Sequence, residues 1–345
     1  MKQREQEFRF AVMGAGKIAN KFCDAVKRLP EARVAAVASK SMERAKAFAE
    51  KNGIEKAYDS YEKMLEEEKP DCVYVAATSD AHYALSKLCV EHGIAVLCEK
   101  AMFLNSAEAK EVFGLAKEKQ VFVMEAMWSR FLPAVRKAKE WIESGCIGTP
   151  VCGQIRIGFH AEENPENRYF NPALGGGAAF DLTVYCYEIM TFLINRPVTV
   201  EEATAVLGET GVDVTDHVLL RFAGKPEEPD MLAFLESTFL SNLEDRLEIC
   251  GTKGKIVLPR PHFASEAQRY GQTGECEEVF RDTVTENGFV YEAEEAMRCV
   301  RAGKAESKTV PHALTIACAK LFDWLLQNAN AAQAECESEA GFTEN

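Results

Sequence analysis

Basic charge is scarce in this 345-residue chain: 40 Lys+Arg stand against 54 Asp+Glu, a formal net charge of −14 at pH 7. That balance argues against a surface built for nucleic acid or an anionic membrane, since both need clustered cations. Long apolar runs are missing too. No uninterrupted run approaches the ~20 residues that span a bilayer. The opening MKQREQEF is charged and leads straight into a strand-like segment, so no secretory leader is expected. No His, Asp, Glu or Cys cluster has metal-ligand spacing, so a reaction without metal is expected. The 12 cysteines include no C-x-x-C pair, which removes support for zinc-ribbon and thioredoxin chemistry. Most of them, such as Cys72, Cys89, Cys98 and Cys318, sit inside apolar runs. They read as small buried hydrophobes kept reduced in a cytoplasm. No internal repeat is visible.

What is present is alternation. At this length about two domains are expected. Apolar runs at 8–13, 33–38, 72–76, 94–98 and 121–124 read as strands. Helical spacing falls between them at 17–29, 42–51, 61–68, 82–91 and 106–118, with Ser41 placed as an N-cap. Near-continuous apolar strands separated by helices predict a doubly wound parallel sheet over residues 1–125. Beyond that point the rhythm changes. A helix at 131–144 is followed by strands at 151–159, 198–207, 214–222, 231–240 and 246–258, interrupted by one helix at 178–194. Consecutive strands predict an α+β domain with an open, mostly antiparallel sheet over residues 126–330. Helices at 291–302 and 312–328 close it, and residues 331–345 read as a polar, acidic tail. The cleft between two such domains is the default site.

Gly14-Ala15-Gly16-Lys17-Ile18-Ala19 fits G-x-G-x-x-A where a strand gives way to a helix. Inside a βαβ unit this is the fingerprint of a Rossmann dinucleotide site. Gly14 permits the tight turn and Gly16 lets the backbone approach a pyrophosphate. Ala19 packs helix against strand, and the helix N-terminus supplies N–H donors. An acid that would bind the ribose 2′-OH is missing at the end of strand 33–38. Ser39 and Lys40 stand there, with Arg44 one helical turn on. This favours NADP, with NAD possible, because a 2′-phosphate is met by cations.

Further stretches carry a resemblance: Glu99-Lys100 after one strand, Glu125-Ala126-Met127-Trp128 after the next, Gly175-Gly176-Gly177-Ala178-Ala179-Phe180-Asp181-Leu182 before a helix, and Gly251-Thr252-Lys253-Gly254. Over about residues 8–330 the chain resembles the glucose–fructose oxidoreductase / inositol dehydrogenase (Gfo/Idh/MocA) family. Within it, the EAMW stretch and Tyr185, four residues after Asp181, look most like the dimeric dihydrodiol dehydrogenase and NADP-linked D-xylose dehydrogenase branch. Departures stand beside these matches. Ala101 replaces the proline of Glu-Lys-Pro, and Ala77-Thr78-Ser79-Asp80 replaces Thr-Pro-Asn. A cis bond before a non-proline residue costs ~2.5–4 kcal/mol, so cis and trans both stay open at 100–101.

The resemblance implies hydride transfer between a nicotinamide cofactor and a carbinol or carbonyl carbon of a sugar, cyclitol or trans-dihydrodiol. It implies a homodimer or homotetramer joined through the C-terminal sheet. Lys100, Asp181 and Tyr185 become the catalytic candidates. Asp181 and Tyr185, spaced i, i+4, share one face of a helix. Tyrosine titrates near 10, so as the base it needs a nearby cation such as Lys100; Lys100 as the base is equally open. Asp181 as a plain helix-start residue, Tyr185 as core and Lys100 as a solvated surface cation are the structural alternatives. Thr78, His82, Glu99 and Trp128 join Lys17, Ile18 and the glycines as cofactor contacts. Trp128, Phe159 and His160 join Asp181 and Tyr185 as substrate contacts, with Trp128 as interdomain core and His82 as a surface residue still open. Cys186, beside Tyr185, is the thiol to watch for an oxidation-sensitive activity. Two other functions remain: an NADP-binding sensor without turnover, and a glycosidase that recycles bound NAD.

Overall fold

Strand–helix alternation yields the parallel sheet it predicts. The structure, a computed structural model, describes residues 7–340. Strands β1 (Phe8–Met13), β2 (Ala32–Ala38), β3 (Lys56–Tyr58), β4 (Cys72–Val75), β5 (Ala95–Glu99) and β6 (Val123–Ala126) form one sheet. Its order is β3-β2-β1-β4-β5-β6, with every pairing parallel. Helices α1 (Lys17–Lys27), α2 (Met42–Asn52), α3 (Tyr61–Glu68), α4 (Ser79–Glu91) and α5 (Ser106–Lys119) connect them. Every residue of β4 and β5 is buried, as their apolar runs require. The strand order reverses between β1 and β4, and the turn after β1 holds Gly14, where such sheets bind ligand at their carboxyl ends.

The second sheet contains β7 (Pro150–Gly158), β8 (Val198–Leu207), β9 (Asp213–Phe222), β10 (Met231–Thr238), β11 (Arg246–Gly251), β12 (Gly254–Pro259), β13 (Glu266–Gly271) and β14 (Cys276–Arg281). Its order is β14-β13-β12-β11-β7-β10-β9-β8. Only β7 and β10 run parallel. Helices α6 (Pro133–Glu143) and α7 (Val184–Ile194) pack against it. The apolar segment Pro172–Ile194 is long enough to cross a bilayer, but 89 % of its most apolar window is buried inside the protein. Val206, Leu232 and Phe234 are exposed, and the strand register puts them on one face of the sheet.

Helices α8 (Phe289–Arg301) and α9 (His312–Ala340) complete the chain. It divides into two compact units: residues 1–131 with 285–316, and residues 132–284 with 317–345. The expected border at 125 thus falls near Phe131, and the stretch 285–316, expected in the second domain, counts with the first. The cause is the apolar face of α8, where Phe289, Ala293, Ala296 and Met297 are buried and the helix packs on α1. Asn287 donates to Lys21 O at 2.9 Å, and the Val123 N–H donates to Ala305 O at 3.0 Å.

Other differences follow from polarity. The expected strand 246–258 is the hairpin β11–β12, turning at Thr252-Lys253. Strands β3, β13 and β14 carry too little apolar alternation to be read. The outer pair β13–β14 is held by cross-strand ion pairs, Arg281–Glu266 at 2.7 Å and Arg269–Glu278 at 3.3 Å. Helix α9 runs to Ala340, past the expected end at 328, so part of the expected tail is helical; residues 341–345 lie outside the described residues.

Candidate active site

In the first unit the glycine turn is shaped as its motif requires. Gly14 has φ +106°, and a Cβ there would meet Ala76 O at 2.6 Å, so only glycine fits. Gly16 is the N-cap of α1 and puts no side-chain oxygen on the helix. The first N–H groups of an 11-residue helix are thus left for an anion, with Lys17 exposed among them and Ile18 half-buried. Ala19 is fully buried against the sheet. The residues present therefore fit a dinucleotide pyrophosphate. At the end of β2, Ser39 is buried and its N–H donates to Tyr58 O at 3.1 Å. Lys40 and Arg44 are exposed beside Tyr61, which bonds to the Lys40 backbone and feels the Arg44 charge. Ser41 caps α2 as expected, accepting the Arg44 N–H at 3.3 Å.

Thr78 is exposed at the N-cap of α4 and makes no side-chain cap bond. His82 is placed otherwise than a ribose contact. It is 1 % exposed, with Nδ1 2.9 Å from Ala101 O and Nε2 3.1 Å from Ala77 O. Burial pulls its pKa down, against the two carbonyls. His82 therefore pins the turn that follows Lys100. The Lys100–Ala101 peptide is cis.

Lys100 is half-buried above a carboxyl cluster. Glu99 accepts the Tyr74 hydroxyl and, at 3.3 Å, the Lys100 N–H. Glu125 accepts the Met102 N–H at 3.0 Å and the Thr315 hydroxyl at 2.9 Å. Burial pushes both carboxyls above their ordinary range, while the Lys100 charge pulls both back. Glu292 of α8 is pushed well up by burial and by Glu99. Trp128, 9 % exposed, stacks on Phe289 with ring centroids 5.3 Å apart, which gives it a packing role within this unit.

In the second unit, residues 178–194 are not one α-helix. Ala179–Thr183 is a π-turn, and α7 starts at Val184. Such turns often sit at functional sites. Asp181 lies in it, its side chain 15 % exposed and paired with Arg168 at 3.2 Å. The Arg168 guanidinium lies 4.2 Å from the centre of the Tyr169 ring. Tyr169 packs on Phe159 at 5.4 Å and Phe239 at 5.2 Å. Phe159 is thereby brought to the Asp181 group. His160 is exposed and bonds to Leu240 O at 3.2 Å through Nδ1. Tyr185 is 8 % exposed, with its ring 5.3 Å from that of His262. His262 Nε2 in turn lies 4.0 Å from Asp245. Cys186 is fully buried and its thiol is pushed well above its usual pKa by burial, so the expected oxidation-sensitive role is corrected: a sealed thiol is inert.

Arg168 and His262 escaped the sequence reading. Arg168 lies in an irregular segment and His262 in the short 3-10 turn Pro261–Phe263, both too short to show periodicity, and their partners are 13 and 77 positions away in Asp181 and Tyr185.

Comparison with known proteins finds matches across both units. The profile described as oxidoreductase family, NAD-binding Rossmann fold, matches residues 8–127, and the GFO/IDH/MocA C-terminal domain matches 135–257. The trans-1,2-dihydrobenzene-1,2-diol dehydrogenase of Xenopus tropicalis is 33 % identical over 328 residues, 92 % of this chain and 97 % of that protein. The human enzyme of the same name is 32 % identical over 315 residues, 88 % and 91 % of the two chains. Among solved structures, levoglucosan dehydrogenase with NADH and L-sorbose superposes with a TM-score of 0.84 at 18 % identity, covering 95 % of this chain and 98 % of that one. A 3-ketoreductase from Actinomadura kijaniata with NADP gives 0.82 at 21 % identity, covering 94 % and 98 %.

Proposed function

The chain belongs to the Gfo/Idh/MocA oxidoreductase family, with its NAD-binding Rossmann fold, and from that premise we propose that it moves a hydride between NADP and a carbinol or carbonyl carbon of a sugar, cyclitol or trans-dihydrodiol. The observation that carries this is the 33 % identity to dihydrodiol dehydrogenase across nearly the whole chain. The nicotinamide, when bound, supplies the hydride acceptor or donor. Lys40 and Arg44 meet the 2′-phosphate, and the α1 N-terminus meets the pyrophosphate. Lys100, beside Glu99 and Glu125, polarises the reacting oxygen. Tyr185 takes the proton from that oxygen. Asp181, fixed by Arg168, accepts a second hydroxyl of the substrate, which accounts for a preference for diols and polyols.

Lys100→Met and Tyr185→Phe should each lower turnover by ~10²-fold with little change in NADPH affinity. Stopped-flow oxidation of bound NADPH by carbonyl sugars, with fluorescence titration of cofactor, reads both quantities. Full activity in either variant removes that residue from the mechanism. The same reading makes the exposed sheet face around Phe234 the contact between copies in a homodimer or homotetramer, and puts the protein in a reducing cytoplasm.

A further inference from the structure

Two carboxyls of the second unit do nothing in the reaction just described. Asp213 and Asp216 open β9 and are 0 % and 1 % exposed. Both face the π-turn that carries Asp181. Asp213 Oδ2 accepts the Ala179 N–H at 2.5 Å, and Asp216 Oδ2 accepts the Thr183 hydroxyl at 2.5 Å. Ala179 and Thr183 are the two ends of that turn. The remaining oxygens, Oδ1 of each acid, receive no N–H or O–H from the described residues. The two buried carboxyls instead act on each other electrostatically.

Two ionised carboxylates side by side in a dry site repel each other, on top of the cost of burying each charge. One must stay protonated. Burial, and then the charge of Asp213, push Asp216 well up; burial raises Asp213 too, but the Ala179 N–H opposes the rise. The proton therefore sits on Asp216. Thr183, which donates to Asp216, accepts in turn from Ser237 at 2.6 Å. Gly177, the last glycine before the turn, lies so close that a Cβ there would meet Asp213 Oδ1 at 2.2 Å.

We propose that Asp213 and Asp216 act as a one-proton carboxyl pair that clamps both ends of the π-turn, and so are the positioning residues that aim Asp181 and Tyr185 at substrate. The link to catalysis rests on the hydride-transfer function proposed above; the clamp itself does not. A neutral acid can be replaced by its amide. In Asp216→Asn, the amide oxygen still accepts from Thr183 and a neutral group still faces Asp213. In Asp216→Leu the shape is nearly kept and the Thr183 bond is lost.

The test pairs hydrogen exchange of the peptide covering 175–187 with steady-state kinetics on full-length wild type and both variants. Asp216→Asn should keep exchange protection and kcat within about twofold of wild type; Asp216→Leu should lose at least about tenfold in both, with NADPH affinity unchanged. Equal damage from Asn and Leu would overturn the proposal by showing that an ionised carboxylate is needed. Full protection in Asp216→Leu would overturn it by showing no clamp. If Asp216→Leu does not fold, Asp216→Asn alone decides, since loss of protection there contradicts a neutral acid. Hydrogen exchange reads the clamp even if wild type turns over no carbinol, so failure of the proposed reaction and failure of the clamp give different results.

Discussion

Lys40 stands where an acid would select NAD, at the carboxyl end of β2 with Arg44 and Tyr61 beside it. Removing its charge should weaken NADP far more than NAD, because only NADP carries the 2′-phosphate. Fluorescence titration of Lys40→Ala with both cofactors measures this; a loss of about tenfold for NADP alone is expected, and equal NADP affinity in the two proteins would refute the assignment. Residues of this kind were legible because their role is local. Gly14, Gly16 and Ala19 are set by one turn, whereas Asp181 lies in the π-turn and Tyr185 in α7, not on the single α-helix their spacing predicts. Arg168, His262, Asp213 and Asp216 were not legible, because each acts through a partner that only tertiary folding supplies. His82 shows the same limit from the other side. Its place after β4 suggested a ribose, yet both ring nitrogens meet backbone carbonyls.

The element on which most depends is the glycine turn running into the π-turn. Gly177 has φ +132° and a Cβ there would lie 2.2 Å from Asp213 Oδ1. Gly53, closing α2 at φ +71°, has no atom within 4 Å of such a Cβ. The Gly53→Ala variant therefore pays only for its backbone, about 1 kcal/mol. Gly177→Ala adds a steric conflict and should cost at least about 2–3 kcal/mol. Urea unfolding of both variants checks this, and equal losses would show that the Asp213 contact is not tight. Elements with apolar period were readable to within a few residues, from β1 to α6. The π-turn was not, since its sequence is as apolar as the helix it enters. Strands β13 and β14 were hidden by charge: their residues pair across strands instead of facing a core.

For the whole molecule, the alternation of the first 125 residues and the strand succession after it sufficed to foresee two units with a parallel and a mostly antiparallel sheet. The return of residues 285–316 to the first unit was invisible, because α8 finds its apolar partner on α1, more than 250 positions earlier. One face of the second sheet leaves Phe234 40 % exposed and Leu232 39 % exposed. If copies meet there, Phe234→Lys should convert the oligomer to monomer in sedimentation velocity; an unchanged sedimentation coefficient places the contact elsewhere. Hydride transfer itself is open to a test by isotope transfer. Wild-type protein is incubated with NADP and a panel of pentoses, hexoses, cyclitols and trans-dihydrodiols carrying deuterium on the carbinol carbon, and the nicotinamide is recovered for mass spectrometry. Deuterium carried into NADPH from at least one diol or sugar, and lost in Lys100→Met, is the predicted result. Cofactor that binds yet gains no deuterium from any of them would contradict it.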